Sequence, residues 1–132
     1  MTAARLRAIP LLSRLSGEAL SKLVSRFDTV RLVEDRVVVQ EGDPGDKFYL
    51  IVRGKLEVYK DAGHDARHRL EVLTDGDFFG EIALLRDLPR TASVRTLAPS
   101  LLLSLSRRAF LETLADAPEL REELERAVTE RT

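Results

Sequence analysis

Between Asp28 and Ser106 the chain is a series of short apolar runs cut at near-regular intervals by turn residues, and no other feature narrows its possible folds as much. Val30 and Leu32, Val37 to Gln40, Phe48 to Val52, Leu56 to Tyr59 and Leu70 to Leu73 are rich in β-branched and aromatic residues. Glu34-Asp35, Gly42 to Asp46, Gly54-Lys55, Asp61 to Arg67 and Asp75 to Asp77 separate them with residues that form turns. Two more strands are expected at Ala92 to Leu97 and Leu101 to Leu105, divided by Ala98-Pro99-Ser100. Seven or eight short strands spaced about 8 to 12 residues apart predict an antiparallel sandwich or barrel.

Helical spacing takes over on either side. Leu15-Ser16-Gly17-Glu18 reads as a helix start: Ser16 caps, Glu18 sits at the positive end of the dipole, and Leu15 can pack on Leu20 as a hydrophobic staple. Leu20, Leu23, Val24 and Phe27 continue the helix to about Phe27, with a short helical or turn segment near Pro10 before it. A further helix is expected from Arg107 to Ala115, with Phe110, Leu111 and Leu114 on one side. The last helix is expected to start near Asp116, whose side chain would cap it, with Pro118 in the first turn. Leu120, Leu124, Ala127 and Val128 form a narrow apolar stripe along it. No linker, repeat or low-complexity tract interrupts the chain, so residues 1–132 read as one domain. Its parts are a helical segment over 1–27, a β region over 28–106 and C-terminal helices over 107–132.

The chemistry concentrates in residues 78–94, FFGEIALLRDLPRTASV. Gly76, Gly80 and Pro89 shape a backbone that leaves the sheet, makes one or two helical turns from Glu81 to Leu85, and returns to a strand. The start of such a turn presents unpaired N–H groups that attract an anion, and Gly80 has no side chain to obstruct it. Leu88, preceding Pro89, is driven to extended geometry, which ends the helix and fixes where Arg90 begins a strand. A guanidinium there can meet two phosphate oxygens, each charge-assisted bond contributing roughly 1.5 to 3 kcal/mol. Glu81 would repel a bare phosphate, so its presence implies a ligand that also carries a hydroxyl donor, as a ribose 2'-OH does. A sugar phosphate meets both demands. Thr91 adds a hydroxyl, while Ile82, Ala83, Leu84 and Leu85 are expected to pack inward and hold the turn. The competing reading is a surface salt bridge between Arg90 and Glu81.

Composition removes several other functions. With 21 basic and 22 acidic residues the net charge is -1, which gives no electrostatic excess for nucleic acid or an anionic membrane. The absence of cysteine rules out disulfides and thiolate chemistry. No stretch approaches the ~18 apolar residues of a membrane span, and MTAARLRAIPLL is not a signal peptide. An intracellular, cytoplasmic and soluble protein is expected. His64 and His68 stand four apart in the polar loop DAGHDARHR and are expected to be solvated rather than metal-bound. Asp43, Asp46, Asp75 and Asp77 lack calcium-loop spacing and are expected to cap turns, in which Gly42, Gly45 and Gly54 supply the geometry. No nucleophile, metal cluster or acid–base pair lies near the central stretch, so neither a catalytic residue nor a cofactor is expected.

FGEIALLRDLPRTASV resembles the phosphate-binding cassette of cyclic nucleotide-binding domains, the family found in catabolite activator proteins, cyclic-nucleotide-dependent kinases and gated channels. QEGDPGDKFYLIVRGKLEVY resembles that family's glycine-punctuated strands, and IPLLSRLSGEALSKLVSRF its N-terminal helical segment. The resemblance implies a mainly β fold, an antiparallel jelly-roll barrel of about eight strands flanked by helices, serving as a sensor or regulatory domain for cAMP or cGMP. It implies that the backbone at Gly80, Ile82 and Ala83 and the side chain of Arg90 hold the cyclic phosphate, and that Glu81 accepts from the ribose 2'-OH. Thr91 falls at a variable position where a hydroxyl goes with cGMP acceptance in part of the family without excluding cAMP. The last helix is implied to be a lid over the base or a homodimer seam, its apolar stripe can equally just cover the barrel, and Arg121 and Arg126 are candidate base contacts on a helix surface where arginines are usually solvated. Binding would be transmitted through the C-terminal helices to an effector domain or partner of unknown kind. The alternative is a scaffold or dimerisation module on the same fold that ignores nucleotide.

Overall fold

The computed structural model describes residues 3–61 and 67–131. Eight strands form where the turn residues delimit them: β1 (Asp28–Leu32), β2 (Val37–Val39), β3 (Lys47–Arg53), β4 (Lys55–Asp61), β5 (Arg67–Thr74), β6 (Phe78–Phe79), β7 (Ser93–Thr96) and β8 (Ser100–Ser106). They pair, all antiparallel, into two four-stranded sheets of order β1-β8-β3-β6 and β2-β7-β4-β5. β1, β6, β2 and β5 remain edges, so the jelly roll is an open sandwich rather than a closed barrel, which would need a partner on both sides of every strand.

The first sheet is buried on both faces, which explains the unbroken apolar run of β3. Phe48 and Leu50 point to one side, with Leu103 and Leu105 of β8, and join a core completed by helices. Tyr49 and Ile51 point to the other side, with Leu102, and meet Leu56, Leu73 and Val94 of the second sheet. Three layers result: helices, first sheet, second sheet. The two-residue β6 divides itself between the two cores. Phe78 lies 5.9 Å from Phe48 on the helical side, while Phe79 stacks on Tyr49 at 4.9 Å in the other core.

The helical layer comprises α1 (Ala3–Arg7), a 3-10 turn (Pro10–Leu12), α2 (Gly17–Arg26), α4 (Arg107–Asp116) and α5 (Pro118–Arg131); α3 (Glu81–Arg86) lies between β6 and β7. The Ser16 side chain accepts from the Ala19 N–H at the start of α2, as expected, and Ser106 accepts from Ala109 in the same way at the start of α4. Leu15 and Leu20 are both buried in the helical core. Asp116 does not cap the last helix: it is the final residue of α4 and takes a 2.9 Å hydrogen bond from Arg26, tying α2 to α4. Leu120 and Leu124 are buried in the chain's own core beside Leu12, Leu23 and Phe110. This half of the apolar stripe therefore packs internally, while Ala127 is half-buried and the Val128 side chain lies outside the described residues.

Asp75 and Asp77 cap turns as expected, accepting from the N–H groups of Gly54 at 2.9 Å and Thr74 at 2.8 Å. His68 lies exposed on β5, opposite Lys60, and His64 falls outside the described residues. Among the described residues no three metal-ligating side chains cluster, and no helix is long and apolar enough to cross a membrane.

The outer face of the second sheet carries an ion network centred on Glu57 of β4. Its carboxylate accepts from Arg69 at 2.6 Å and Arg95 at 2.9 Å, and Arg95 also reaches Asp35. Burial works against the charge on Glu57, but the hydrogen bonds and charges of Arg69 and Arg95 outweigh it and hold the carboxyl below its ordinary range. A carboxyl depressed in the folded state stabilises above its unfolded pKa, and that contribution is lost as pH falls through the folded value. Glu57→Gln should therefore lower stability at pH 7 by about 1 to 2 kcal/mol. The gap to wild type should narrow as the pH falls below the ordinary glutamate range and vanish below the depressed folded value. Melting curves at pH 7 and through that fall check this; a gap independent of pH would assign the loss to packing.

Candidate functional site

Arg90 is positioned first through its backbone. Its N–H donates to the Asp43 carbonyl at 2.8 Å, and its own carbonyl accepts from Gly42 at 2.8 Å, so the loop between β2 and β3 clamps it on both sides. The side chain then runs inward and is only 6% exposed. Nη2 donates to the Lys47 carbonyl at 2.6 Å and Nη1 to the Gly80 carbonyl at 3.3 Å. A guanidinium has five N–H donors. Those beyond the two bonds find no acceptor among the described residues. Burial lowers the Arg90 pKa from its ordinary value, while Tyr49, Asp46, Glu81 and Asp43 act to raise it; the group stays charged.

Gly80 makes this placement possible. Its φ of +98° lies in the left-handed region, and a Cβ there would stand 2.7 Å from the Lys47 oxygen, which accepts from Nη2, and 2.8 Å from Arg90 Nη1, which donates to the Gly80 carbonyl, so it would crowd both bonds of the anchor. A second close approach occurs at Gly45, where a Cβ would overlap that of Ala83 and push α3 away from the loop. α3 runs one residue beyond the expected Leu85, and a backbone angle rather than the proline closes it. Asp87 adopts left-handed geometry at φ +53°, its N–H bonding the Ala83 carbonyl, so the helix has closed two residues before Pro89.

Glu81 opens α3 and is completely buried. It makes other interactions, but its Oε2 atom receives no hydrogen bond from the described residues. Glu81 and Arg90 do not form the surface salt bridge that was the competing reading, since both are buried and Arg90 donates to carbonyls instead. Ala83 and Leu84 pack inward and Leu85 packs against the helical core, whereas Ile82 is half-exposed and lines the pocket instead of filling the interior.

The pocket is a cavity of about 500 Å³ between α3 and the second sheet, within the usual range for small-molecule sites. Gly80, Glu81, Ile82, Ala83, Arg90 and Thr91 all line it. The remaining wall was not singled out from sequence: Val39, Val58, Leu70, Glu71, Leu73, Phe79, Ala92 and Val94. Most are plain strand residues, and only sheet register tells which of them face inward. Arg121 and Arg126 do not reach the pocket. Arg126 pairs with Glu123 at 3.3 Å and borders a separate groove beside Pro10 and Asp77, and Arg121 is exposed. No described side chain of α5 lines the cavity, so its described part does not cover the site as a lid. It is connected to the site indirectly: Arg86 at the end of α3 pairs with Glu125 of α5 at 2.9 Å, and Arg107 of α4 pairs with Asp87 at 2.7 Å.

Comparison with known proteins points one way. A model of the cyclic nucleotide-binding domain matches residues 29–117. A cAMP-dependent protein kinase regulatory subunit of Pyricularia oryzae is 39% identical over 109 residues, which are 83% of this chain and 27% of that protein. The chain thus spans little more than a quarter of that relative. Among solved structures, the catabolite activator protein of Thermus thermophilus superposes with a TM-score of 0.83 at 26% identity, covering 92% of this chain and 57% of that one. The sensor domain of the transcriptional regulator DNR from Pseudomonas aeruginosa gives 0.83 at 27% identity, covering 97% and 86%.

Gly80 and Gly76 separate two causes of strain. Gly76 also has positive φ, +87°, but its nearest outside atom to an added Cβ is Pro10 Cδ at 3.8 Å. Both substitutions by alanine should destabilise through the backbone, and Gly80→Ala should cost about 1 kcal/mol more by displacing the Arg90 anchor. Equal losses in denaturant melts would show that Gly80 is needed for its dihedral angle alone.

Proposed function

The chain belongs to the cyclic nucleotide-binding domain family, and on that premise we propose that it binds a 3',5'-cyclic nucleotide, cAMP or cGMP, as a cytoplasmic sensor or regulatory domain. One observation carries the reading. A buried guanidinium, held at two points by the carbonyls of Lys47 and Gly80, lines a ligand-sized cavity with further donors that no described residue accepts. A cation desolvated to that degree calls for an anion.

The cyclic phosphate would take the Arg90 donors and the backbone at Ile82 and Ala83, with Gly80 leaving room for its approach. The ribose 2'-OH would donate to Glu81, which reconciles a buried carboxylate with an anion site. Thr91 stands where its hydroxyl can meet the ligand, and Val39, Val58 and Leu73 offer an apolar wall for the base. The carboxylate, the arginine and the glycine are each explained by one part of a single molecule.

Transmission follows from the contacts of α3. Its end is joined to α5 by Arg86 and Glu125 and to α4 by Asp87 and Arg107. If the site holds ligand more tightly in one position of these helices than in another, binding shifts them by that difference. Leu120 and Leu124 are already covered within the chain, which favours this internal route over a dimer seam. The recipient is proposed to be a protein partner such as a kinase, by analogy with relatives named as kinase regulatory subunits.

Thermal melts with cAMP and cGMP test binding. Ligand at about 100 times its dissociation constant should add roughly 2.7 kcal/mol, and no shift with either nucleotide at millimolar concentration would refute the proposal. Arg90→Ala should weaken binding at least about tenfold in calorimetry, the equivalent of one lost charge-assisted bond. Affinity equal to wild type in that variant would show that the anion is held elsewhere.

A further inference from the structure

Two consecutive residues of one strand, Leu70 and Glu71, both line the nucleotide pocket. A regular strand forbids this, because neighbouring side chains point to opposite faces. The pairing of β4 with β5 contains the explanation. Val58 stands opposite Glu71 while the next residue, Tyr59, stands opposite Arg69, so Leu70 is an extra residue in β5. Such a bulge re-aims the side chains next to it. Here Arg69 is the residue re-aimed, reaching Glu57 on the outer face, while Glu71 keeps the pocket face by ordinary alternation with Leu73 and by its pairing with Val58.

Glu71 differs from the other two charged residues of the wall. Glu81 and Arg90 are buried at the α3 end, whereas Glu71 is exposed and makes no hydrogen bond or ion pair with the described residues. In the sheet order β7-β4-β5, Val94 pairs with Val58 and Val58 with Glu71. That places Glu71 two strand spacings, roughly 10 Å, from the strand that follows Arg90 and Thr91. The separation suits a ligand whose phosphate lies on Arg90 and whose purine extends along the second sheet.

We propose that Glu71 reads the base of the bound cyclic nucleotide and biases the site toward guanine. The inference rests on the cyclic-nucleotide reading given above. An ionised carboxylate offers only acceptors, and its two oxygens lie side by side. Guanine presents two adjacent donors on its pairing edge, N1–H and the N2 amino group, and fills both. Adenine presents one donor, the N6 amino group, beside N1, an acceptor that opposes the second oxygen. A glutamine at position 71 reverses the sense, since a carboxamide can accept from the adenine amino group while donating to the neighbouring ring nitrogen.

The test is calorimetric titration of the chain with cGMP and cAMP, using wild type, Glu71→Gln and Glu71→Ala, with melting temperatures to establish that each variant is folded. Wild type should prefer cGMP. Glu71→Ala should lose cGMP affinity by at least about tenfold, in the range of one bidentate base contact, and keep cAMP affinity within about twofold. Glu71→Gln should move the ratio toward cAMP, and cyclic inosine monophosphate, which lacks the 2-amino group, should bind wild type more weakly than cGMP. A cGMP-to-cAMP ratio unchanged in Glu71→Ala, or equal losses for both nucleotides, overturns the proposal while leaving the cyclic-nucleotide reading intact. Failure of wild type to bind either nucleotide overturns both.

Discussion

A buried arginine whose hydrogen bonds are only partly met among the described residues sets the terms for the rest of the fold. Arg90 donates to the carbonyls of Lys47, at the start of β3, and of Gly80, between β6 and α3, and its backbone is clamped by the loop before β3. Desolvating such a charge costs several kcal/mol, so the acceptors must be held where the guanidinium needs them. β3 meets that need because apolar residues pack it on both faces, and it is paired on both edges, with β8 and β6. The three-layer architecture is thus the support for one polar contact.

The features legible in the sequence were those that depend on neighbours along the chain. Ser16 announces a helix start by its side chain, the strands announce themselves between turn residues, and the Gly80 to Thr91 stretch carries its chemistry in consecutive letters. What could not be read depends on residues brought together from far apart. The Lys47 carbonyl holds Arg90, yet any residue has a carbonyl, so nothing at position 47 marks it. The sandwich stays open because β1, β6, β2 and β5 find one partner each, a matter of pairing order that local patterns do not encode. Two local expectations give way for related reasons: Asp116 does not cap the last helix because it is drawn to Arg26, ninety residues away in sequence, and α3 is ended by the left-handed backbone of Asp87 before Leu88 and Pro89 are reached. Arg121 and Arg126 show the limit of helical periodicity, which predicts exposure but not what an exposed side chain faces.

The connection between the pocket and the helical layer combines interactions of unequal strength. Arg86 and Glu125 are 43% and 36% exposed, and pairs of that kind contribute about 0.2 to 1 kcal/mol and weaken with salt. Leu84 of α3 belongs to the same buried core as Leu120 and Leu124 of α5, and burying one leucine is worth roughly 1.5 to 3 kcal/mol. Shared burial in this core therefore does more to hold α3 beside α5 than the exposed ion pair does. Phe78 and Phe79 reinforce it, since adjacent residues at the entrance to the site are fixed in different cores.

The pairing of β3 with β8 has a consequence for how the protein comes into being on the ribosome. Lys47 lies opposite Ser106, and Leu50 opposite Leu103, so the strand that presents the acceptor for Arg90 gains its long partner only after some fifty further residues have been synthesised. Contacts so distant along the chain make assembly slow compared with that of the local helices. The nascent polypeptide can carry the whole Gly80 to Thr91 stretch and still have no pocket. The strand that carries the Lys47 acceptor is thus fixed along its length only once β8 has been made.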